Sequence, residues 1–169
     1  MFSNYYFVNI IRFLLLVLTQ VLLFNQLNFF GFINPVIYIL FLYWYPIKDN
    51  RALFIFLSFL LGFIIDIFSD TLAIHAASTV TIAYLRPTIM RFVFGVNYEF
   101  QNFKINQSTR AQQITFLALL ILLHHIVFFS LEIFSLMNLL LILKKTVFTF
   151  CGTLVMTLLV SALFSTKKE

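Results

Sequence analysis

Charged residues are scarce in this chain: Asp, Glu, Lys and Arg make up 10% of the 169 residues, whereas hydrophobic residues make up 62%. A water-soluble domain is about a quarter charged, and the mean hydropathy of +1.02 is far above that of such a domain. The sequence therefore predicts an integral membrane protein. So little polar chain is left over that we expect one bundle of helices and no additional water-soluble domain.

Cysteine is nearly absent as well, and the single Cys151 cannot form an internal disulfide bond. The net charge of +5 does not indicate a nucleic-acid partner, because the basic residues lie at the ends of apolar segments. The first apolar segment lacks both a preceding basic run and a small-x-small cleavage site. We therefore predict that it is a retained helix rather than a signal peptide.

The apolar segments predict an all-α bundle of six transmembrane helices in one domain, since about 20 apolar residues cross a bilayer. Their approximate limits are 9–27, 33–46, 52–68, 72–94, 114–134 and 146–164. Pro35 suits the first turn of the second helix, and Tyr43-Trp44-Tyr45 before Pro46 is typical of a membrane interface. The limits of this helix stay open, because Pro35 to Tyr45 covers only about 16 Å.

Basic residues favour one side of the predicted bundle. With the N-terminus inside, nine lie on the cytoplasmic side: Arg12, Lys48, Arg51, Arg86, Arg91, Lys104, Arg110, Lys167 and Lys168. Only Lys144 and Lys145 lie outside. This bias predicts that both termini are cytoplasmic.

Two acids lie near the joint between the third and fourth predicted helices. A charge at the bilayer centre costs roughly 2.5–3.5 kcal/mol, so Asp66 needs partners. Gly62, Asp66 and Asp70 lie on one face of the third helix if that helix continues to residue 70. One alternative function is therefore an intramembrane enzyme whose active site contains the two aspartates. The second half of the CDP-alcohol phosphotransferase motif has this spacing, but the upstream carboxylates of that motif are missing.

We favour an architectural role for Asp66. It could cap the start of the fourth helix, accept from the hydroxyl of Ser69 or Thr71, or pair with His75. Asp70, with Thr71, is a second candidate N-cap.

Polar residues in other helices are interpreted as hydrogen-bonding groups between helices. Gln20 is one of them. His124 and His125 point about 100° apart on a helix, whereas His125 and Glu132 share a face. A combined metal site is the alternative, built from four residues: Asp66, His75, His125 and Glu132.

Small side chains mark the fourth helix, among them Ala73, Ala76, Ala77, Thr79 and Ala83. Such residues let helices approach closely. We therefore predict that this helix is the most buried element.

These features together resemble the rod shape-determining protein MreD family across nearly the whole chain. The residues that carry the resemblance are Gln20, Pro35, Pro46, Gly62 to Ala77 with Asp66, Asp70 and His75, Ala83-Tyr-Leu-Arg86-Pro87, and His124-His125 with Glu132. One departure is the turn before His75, where a glycine is expected and Ala73-Ile74 stands.

The resemblance implies a non-catalytic scaffold subunit of the bacterial cell-elongation machinery in the cytoplasmic (inner) membrane, without cofactor or metal. The implied partners are MreC, MreB, RodA and the elongation-specific penicillin-binding transpeptidase, besides the lipid bilayer. The implied fold is similar to the substrate-binding subunits of energy-coupling-factor vitamin transporters. A true transporter subunit is the alternative function, although such subunits use an alanine-rich face on helix 1 and residues 9–27 contain no alanine.

Overall fold

The computed structural model describes residues 2–27, 34–47, 50–99, 103–134 and 138–164. Within these ranges all regular elements are helical. The α-helices are α1 (Phe2–Leu22), α2 (Ile39–Trp44), α3 (Arg51–Ser69), α4 (Ile74–Phe94), α5 (Arg110–Ile133) and α6 (Leu139–Phe164). Short 3-10 turns occupy Phe24–Gln26, Gly95–Glu99 and Ile105–Gln107.

Among the described residues, four helical stretches are long and apolar enough to cross a membrane: Phe7–Gln26, Arg51–Ser69, Arg110–Ile133 and Leu139–Ala162. This agrees with a multi-pass membrane protein. Helix α4 has 21 residues, but its hydroxyl-bearing residues and two arginines make it less apolar. Helix α2 has six residues, about 9 Å of helix, which is far shorter than a hydrocarbon core.

The second helix differs from its predicted range of 33–46, of which residue 33 lies outside the described residues. It begins at Ile39, so the prediction that Pro35 opens the helix is wrong. The reason is a set of tertiary hydrogen bonds to the backbone before the helix. The Gln20 side chain bonds the Pro35 carbonyl and the Ile37 amide, and the Thr153 hydroxyl accepts from the Val36 amide.

The last helix begins at Leu139 rather than at 146, so Lys144 and Lys145 lie inside it. The leucines, isoleucine and lysines at 139–145 are compatible with helix, and most of them have high helix propensity. The first helix covers Phe2–Leu22 instead of 9–27. The fifth begins four residues early because Thr109 and Gln112 form a capping box at its start. The third and fourth agree with prediction within two residues.

The centre of the bundle is α2 and the turn before it, which corrects the prediction that the fourth helix is the most buried. Seven consecutive residues, Val36 to Leu42, are each at most 6% exposed. Helices α3, α4, α5 and α6 pack in chain order, and α2 contacts α1, α4 and α5. A segment that is hydrophobic on all sides is typical of a fully buried element.

Arginines gather at one end of the bundle, which we call the basic end (Arg12, Arg51, Arg86, Arg91 and Arg110). Arg12 lies over the Trp44 ring at 5.8 Å, and Arg51 lies over the Tyr84 ring at 5.1 Å. A 3.3 Å hydrogen bond from the Gln112 side chain to the Val93 carbonyl joins the start of α5 to the end of α4 there. The opposite end, where α3 meets α4, we call the joint end.

Candidate functional site

Asp66 caps helix α4 from the neighbouring helix α3. Its carboxylate accepts from the backbone amides of His75 at 2.9 Å and Ala76 at 2.8 Å, and from the Thr71 hydroxyl. The side chain is 3% exposed. Since the N-cap residue Ala73 has no side-chain hydrogen bond, Asp66 satisfies amides that would otherwise lack a partner. Capping and the Thr71 contact are two of the roles that the sequence left open.

Asp70 does not serve as an N-cap, contrary to the alternative considered for it. It is the C-cap of α3, exposed, with φ of 53°, and its amide donates to the Asp66 carbonyl. Aspartate tolerates this left-handed conformation better than most residues. Because α3 ends at Ser69, Asp66 and Asp70 do not share a helical face, and one is buried while the other is exposed.

Tyr38 joins two histidines in the middle of the bundle. Its hydroxyl lies 2.7 Å from His75 Nδ1 and 2.9 Å from His124 Nε2. Tyr38 is 0% exposed, His75 7% and His124 0%. His75 thus meets Asp66 through its backbone amide, while its side chain turns to Tyr38. Tyr38 is not among the residues predicted from the sequence, although a tyrosine inside an otherwise apolar segment indicates a buried hydroxyl that needs a partner.

The Tyr38 hydroxyl has one proton, so it donates to one histidine and accepts from the other. His124 Nδ1 has no hydrogen-bond partner in the described part of the chain. An orphaned buried N–H is rarer than an orphaned acceptor. This favours the tautomer in which His124 donates through Nε2 to Tyr38, and Tyr38 donates to His75.

His125 links α5 to α6 and to the segment before α2. Its Nδ1 donates to the Ile121 carbonyl at 2.7 Å, which leaves Nε2 as an acceptor 3.3 Å from the Thr153 hydroxyl. The Thr153 oxygen also accepts from the Val36 amide at 3.1 Å. His124 and His125 therefore form hydrogen bonds to different elements, in agreement with the prediction that their side chains point in different directions.

Gln20 binds the extended segment before α2 from helix α1, which is the packing role predicted for it. Its Oε1 accepts from the Ile37 amide at 2.8 Å, and its Nε2 donates to the Pro35 carbonyl at 3.2 Å and to Asn25 at 3.0 Å. Asn25 in turn donates to the Ser69 hydroxyl at 2.8 Å. The Gln20 side chain thereby satisfies one backbone carbonyl and one backbone amide in a segment that has no helical hydrogen bonds of its own.

Glu132 does not join the histidines. It is exposed and pairs with Lys145 at 3.2 Å. Within the described ranges, no three residues of His, Cys, Asp or Glu are grouped so that they could hold a metal ion. The structure does not bring the four residues of the alternative metal site together. The Asp66 carboxylate binds backbone amides, and Glu132 pairs with a lysine.

Arg86, at the basic end, ties α4 to the chain that leaves α2. Its Nη2 donates to the Tyr43 carbonyl at 3.3 Å and to the Tyr45 carbonyl, and its guanidinium lies 5.0 Å from the Phe54 ring centre. Pro87 follows inside α4 and removes the helical hydrogen bond to the Ala83 carbonyl.

Helix α6 has a row of buried threonines that were not predicted from the sequence: Thr146, Thr149, Thr153 and Thr157. Thr157 bonds the carbonyl of its own helix at Thr153. The spacing of three and four residues could have revealed this polar face in a helix whose other residues are mostly large and apolar.

Seven buried polar side chains form a set of inter-element hydrogen bonds, named here the polar network: Gln20, Tyr38, Asp66, His75, His124, His125 and Thr153. Its members belong to α1, α3, α4, α5, α6 and the turn before α2. The described residues form a helical fold with four helices long and apolar enough to cross a membrane, which is compatible with a multi-pass membrane protein. In this fold, polar groups hold a short central helix in place. No protein-family model, curated protein or solved structure matches the chain.

Proposed function

We propose that this protein is a non-catalytic scaffold subunit of the bacterial cell-elongation complex, as its resemblance to the MreD family implies. In this proposal it lies in the cytoplasmic membrane, binds MreC, and acts with MreB, RodA and the elongation-specific transpeptidase in cell-wall synthesis.

One observation carries the proposal: residues on which the resemblance rests contact one another in space. Gln20 bonds the Pro35 carbonyl, Asp66 caps the helix that begins next to His75, and His75 and His124 share the Tyr38 hydroxyl. The hydrogen bonds of these residues hold the helices in a fixed arrangement. This favours a protein that works through its shape and surfaces.

Helices α1 and α6 each expose an apolar face that is suited to a partner within the membrane. On α1 they include Ile10, Leu14, Leu18 and Leu22, each more than half exposed. On α6 they include Leu140, Leu143, Val155 and Leu159, each also more than half exposed. Lipid covers such faces well, and a single-pass partner helix such as that of MreC would cover them equally well.

The proposal places six helices in the membrane, with α4 crossing between α3 and α5 and α2 buried at the centre. The basic end then faces the cytoplasm. An overall similarity to the substrate-binding subunits of energy-coupling-factor transporters belongs to the same proposal.

Depletion of the protein in its native rod-shaped bacterium tests the function, with the ratio of cell length to width as readout. We expect cells to become round as the protein disappears, and wild-type protein supplied from a plasmid to restore rods. Normal rods together with lost vitamin uptake would overturn the proposal in favour of the transporter subunit.

A further inference from the structure

Helix α6 exposes one row of side chains along most of its length, named here the outer stripe: Leu140, Lys144, Val147, Cys151, Val155 and Leu159. All of them are exposed, and their spacing of three or four residues places them on one side of the helix. The stripe is about 28 Å long at the helical rise, which is close to the thickness of a hydrocarbon core. A second membrane helix is therefore able to lie along the whole stripe.

Lys144 is the one charged member of the outer stripe. It lies about 8 Å from the start of α6, within the stretch Leu139–Ala162 that is long and apolar enough to cross a membrane. The adjacent Lys145 pairs with Glu132 at 3.2 Å. Lys144 itself has no hydrogen bond or ion pair to any residue that the structure describes. Its positive charge therefore lacks a counter-charge in this part of the chain.

The sequence offers this lysine no further acidic residue at the joint end. Asp66 and Glu132 already have partners, and Asp70 lies at the end of α3, which packs two helices away from α6. The remaining three acids of the chain stand in sequence beside the basic-end termini of α3, α4 and α6: Asp49, Glu99 and Glu169. The undescribed stretches 28–33 and 135–137 contain no acidic residue. The counter-charge therefore has to come from another molecule.

We propose that the outer stripe binds a transmembrane helix of a partner protein, and that an acidic side chain of this helix pairs with Lys144. Ionisable residues within membrane segments almost always face a protein interior and pair with one another, whereas Lys144 faces outward. A helix on the outer stripe would complete that interior and supply the carboxylate. The apolar members of the stripe would pack against the same helix by van der Waals contact.

This inference rests on the proposed scaffold function and selects one of the two exposed apolar faces. The face on α1 consists of Ile10, Leu14, Leu18 and Leu22, so it offers no charge to a partner helix. The outer stripe of α6 offers both an apolar surface and a charge that fixes the depth of its partner. In the cell-elongation complex the partner helix would be that of MreC, and lipid would cover the α1 face.

A photo-crosslinking amino acid at Val155 tests the inference with the full chain in its native membrane. Leu18 on α1 is the matched position, because Val155 is 56% and Leu18 53% exposed. From Val155 we expect a protein adduct, identified by mass spectrometry, whose membrane helix has an acidic residue at the depth of Lys144. From Leu18 we expect lipid adducts. Lipid adducts alone from Val155, or a protein whose membrane helix lacks an acidic residue, would overturn the inference.

Lys144→Leu should lower the yield of the Val155 protein adduct by about tenfold, because the partner's carboxylate is left without a counter-charge. Lys144→Arg keeps the charge and should keep the adduct. Lys104→Leu is the control, since it removes an exposed lysine from the chain between α4 and α5, and it should leave the yield unchanged. Equal yields from the Lys144→Leu and Lys104→Leu proteins would refute the pairing.

The identity of the crosslinked protein separates this inference from the scaffold function. MreC as the adduct supports both. Another membrane protein with the acidic residue supports the outer stripe as a docking surface and contradicts the binding of MreC. If MreC co-purifies with the protein while Val155 crosslinks to lipid alone, the scaffold function is supported and the outer stripe is not its binding surface.

Discussion

Gly62 in α3 lies directly against the backbone of Ala76 in α4. A Cβ atom added to Gly62 would lie 2.5 Å from the Ala76 Cα and 2.6 Å from the His75 carbonyl oxygen. Both neighbours are backbone atoms and cannot rotate away. This contact brings the start of α4 close enough to α3 for the Asp66 carboxylate to reach its amides.

Gly62→Ala should therefore lower the melting temperature of the purified protein and its amount in the membrane. Overpacking of a close contact costs roughly 1–3 kcal/mol. Replacing glycine by alanine inside a helix gains about 1 kcal/mol of helix propensity, which is less than the overpacking cost over most of its range. Phe63→Ala, at an exposed neighbouring position, is the control and should change the melting temperature less. A stabilised Gly62→Ala protein would show that the helices are not in contact there.

Asp66→Ala should reduce the folded protein in the membrane, because the amides of His75 and Ala76 lose their acceptor. Each buried donor left without a partner costs roughly 1–3 kcal/mol. Asp66→Asn retains one acceptor oxygen and should lose less. Asp70→Asn is the control, since Asp70 is exposed and asparagine also tolerates the left-handed conformation. Normal accumulation and normal cell shape with Asp66→Ala would contradict the capping role.

Ala73→Gly should stabilise the protein by roughly 0.5–1 kcal/mol. Ala73 has φ of 58°, a conformation that costs a non-glycine residue roughly 1–2 kcal/mol, partly offset by the greater freedom of glycine in the unfolded chain. Ala77→Gly, four residues further inside α4, should instead destabilise by about 1 kcal/mol. Melting temperatures of the two variants should therefore move in opposite directions, and a shift in the same direction would refute this account of the turn.

The turn before α4 shows which features of the fold can be predicted from the sequence alone. A glycine was expected there from the family resemblance, and the backbone does have the conformation that glycine favours, although alanine occupies it. The cap by Asp66 was also within reach of sequence reasoning. An aspartate one turn from the end of an apolar helix has the next helix's free amides as its nearest donors.

The course of the chain from Pro35 to Ile37 could not be predicted in this way. Proline followed by apolar residues predicts a helix start, yet Gln20 and Thr153, from distant parts of the sequence, bond the backbone and delay the helix. These partners are known only once α1 and α6 are packed. The role of Tyr38 was hidden for the same reason, because its two histidines are 37 and 86 residues away.

Tyr38→Phe should destabilise the protein by roughly 1–3 kcal/mol, since it removes the hydroxyl shared by His75 and His124. Tyr84→Phe, at a tyrosine that is 61% exposed, should have little effect. A double-mutant cycle with His124→Leu measures the coupling through unfolding free energies. Additive effects of the two substitutions would mean that the Tyr38–His124 hydrogen bond contributes nothing.

Co-purification of the tagged protein from its native membrane tests the scaffold function most directly. We expect specific recovery of MreC, together with RodA and its transpeptidase. Recovery should be weaker when tryptophan replaces Leu14 and Leu18 on α1 or Val155 and Leu159 on α6. A paired substitution on the face that does not bind MreC serves as the control. Recovery of an ATPase module without MreC would contradict the account and identify a transporter subunit.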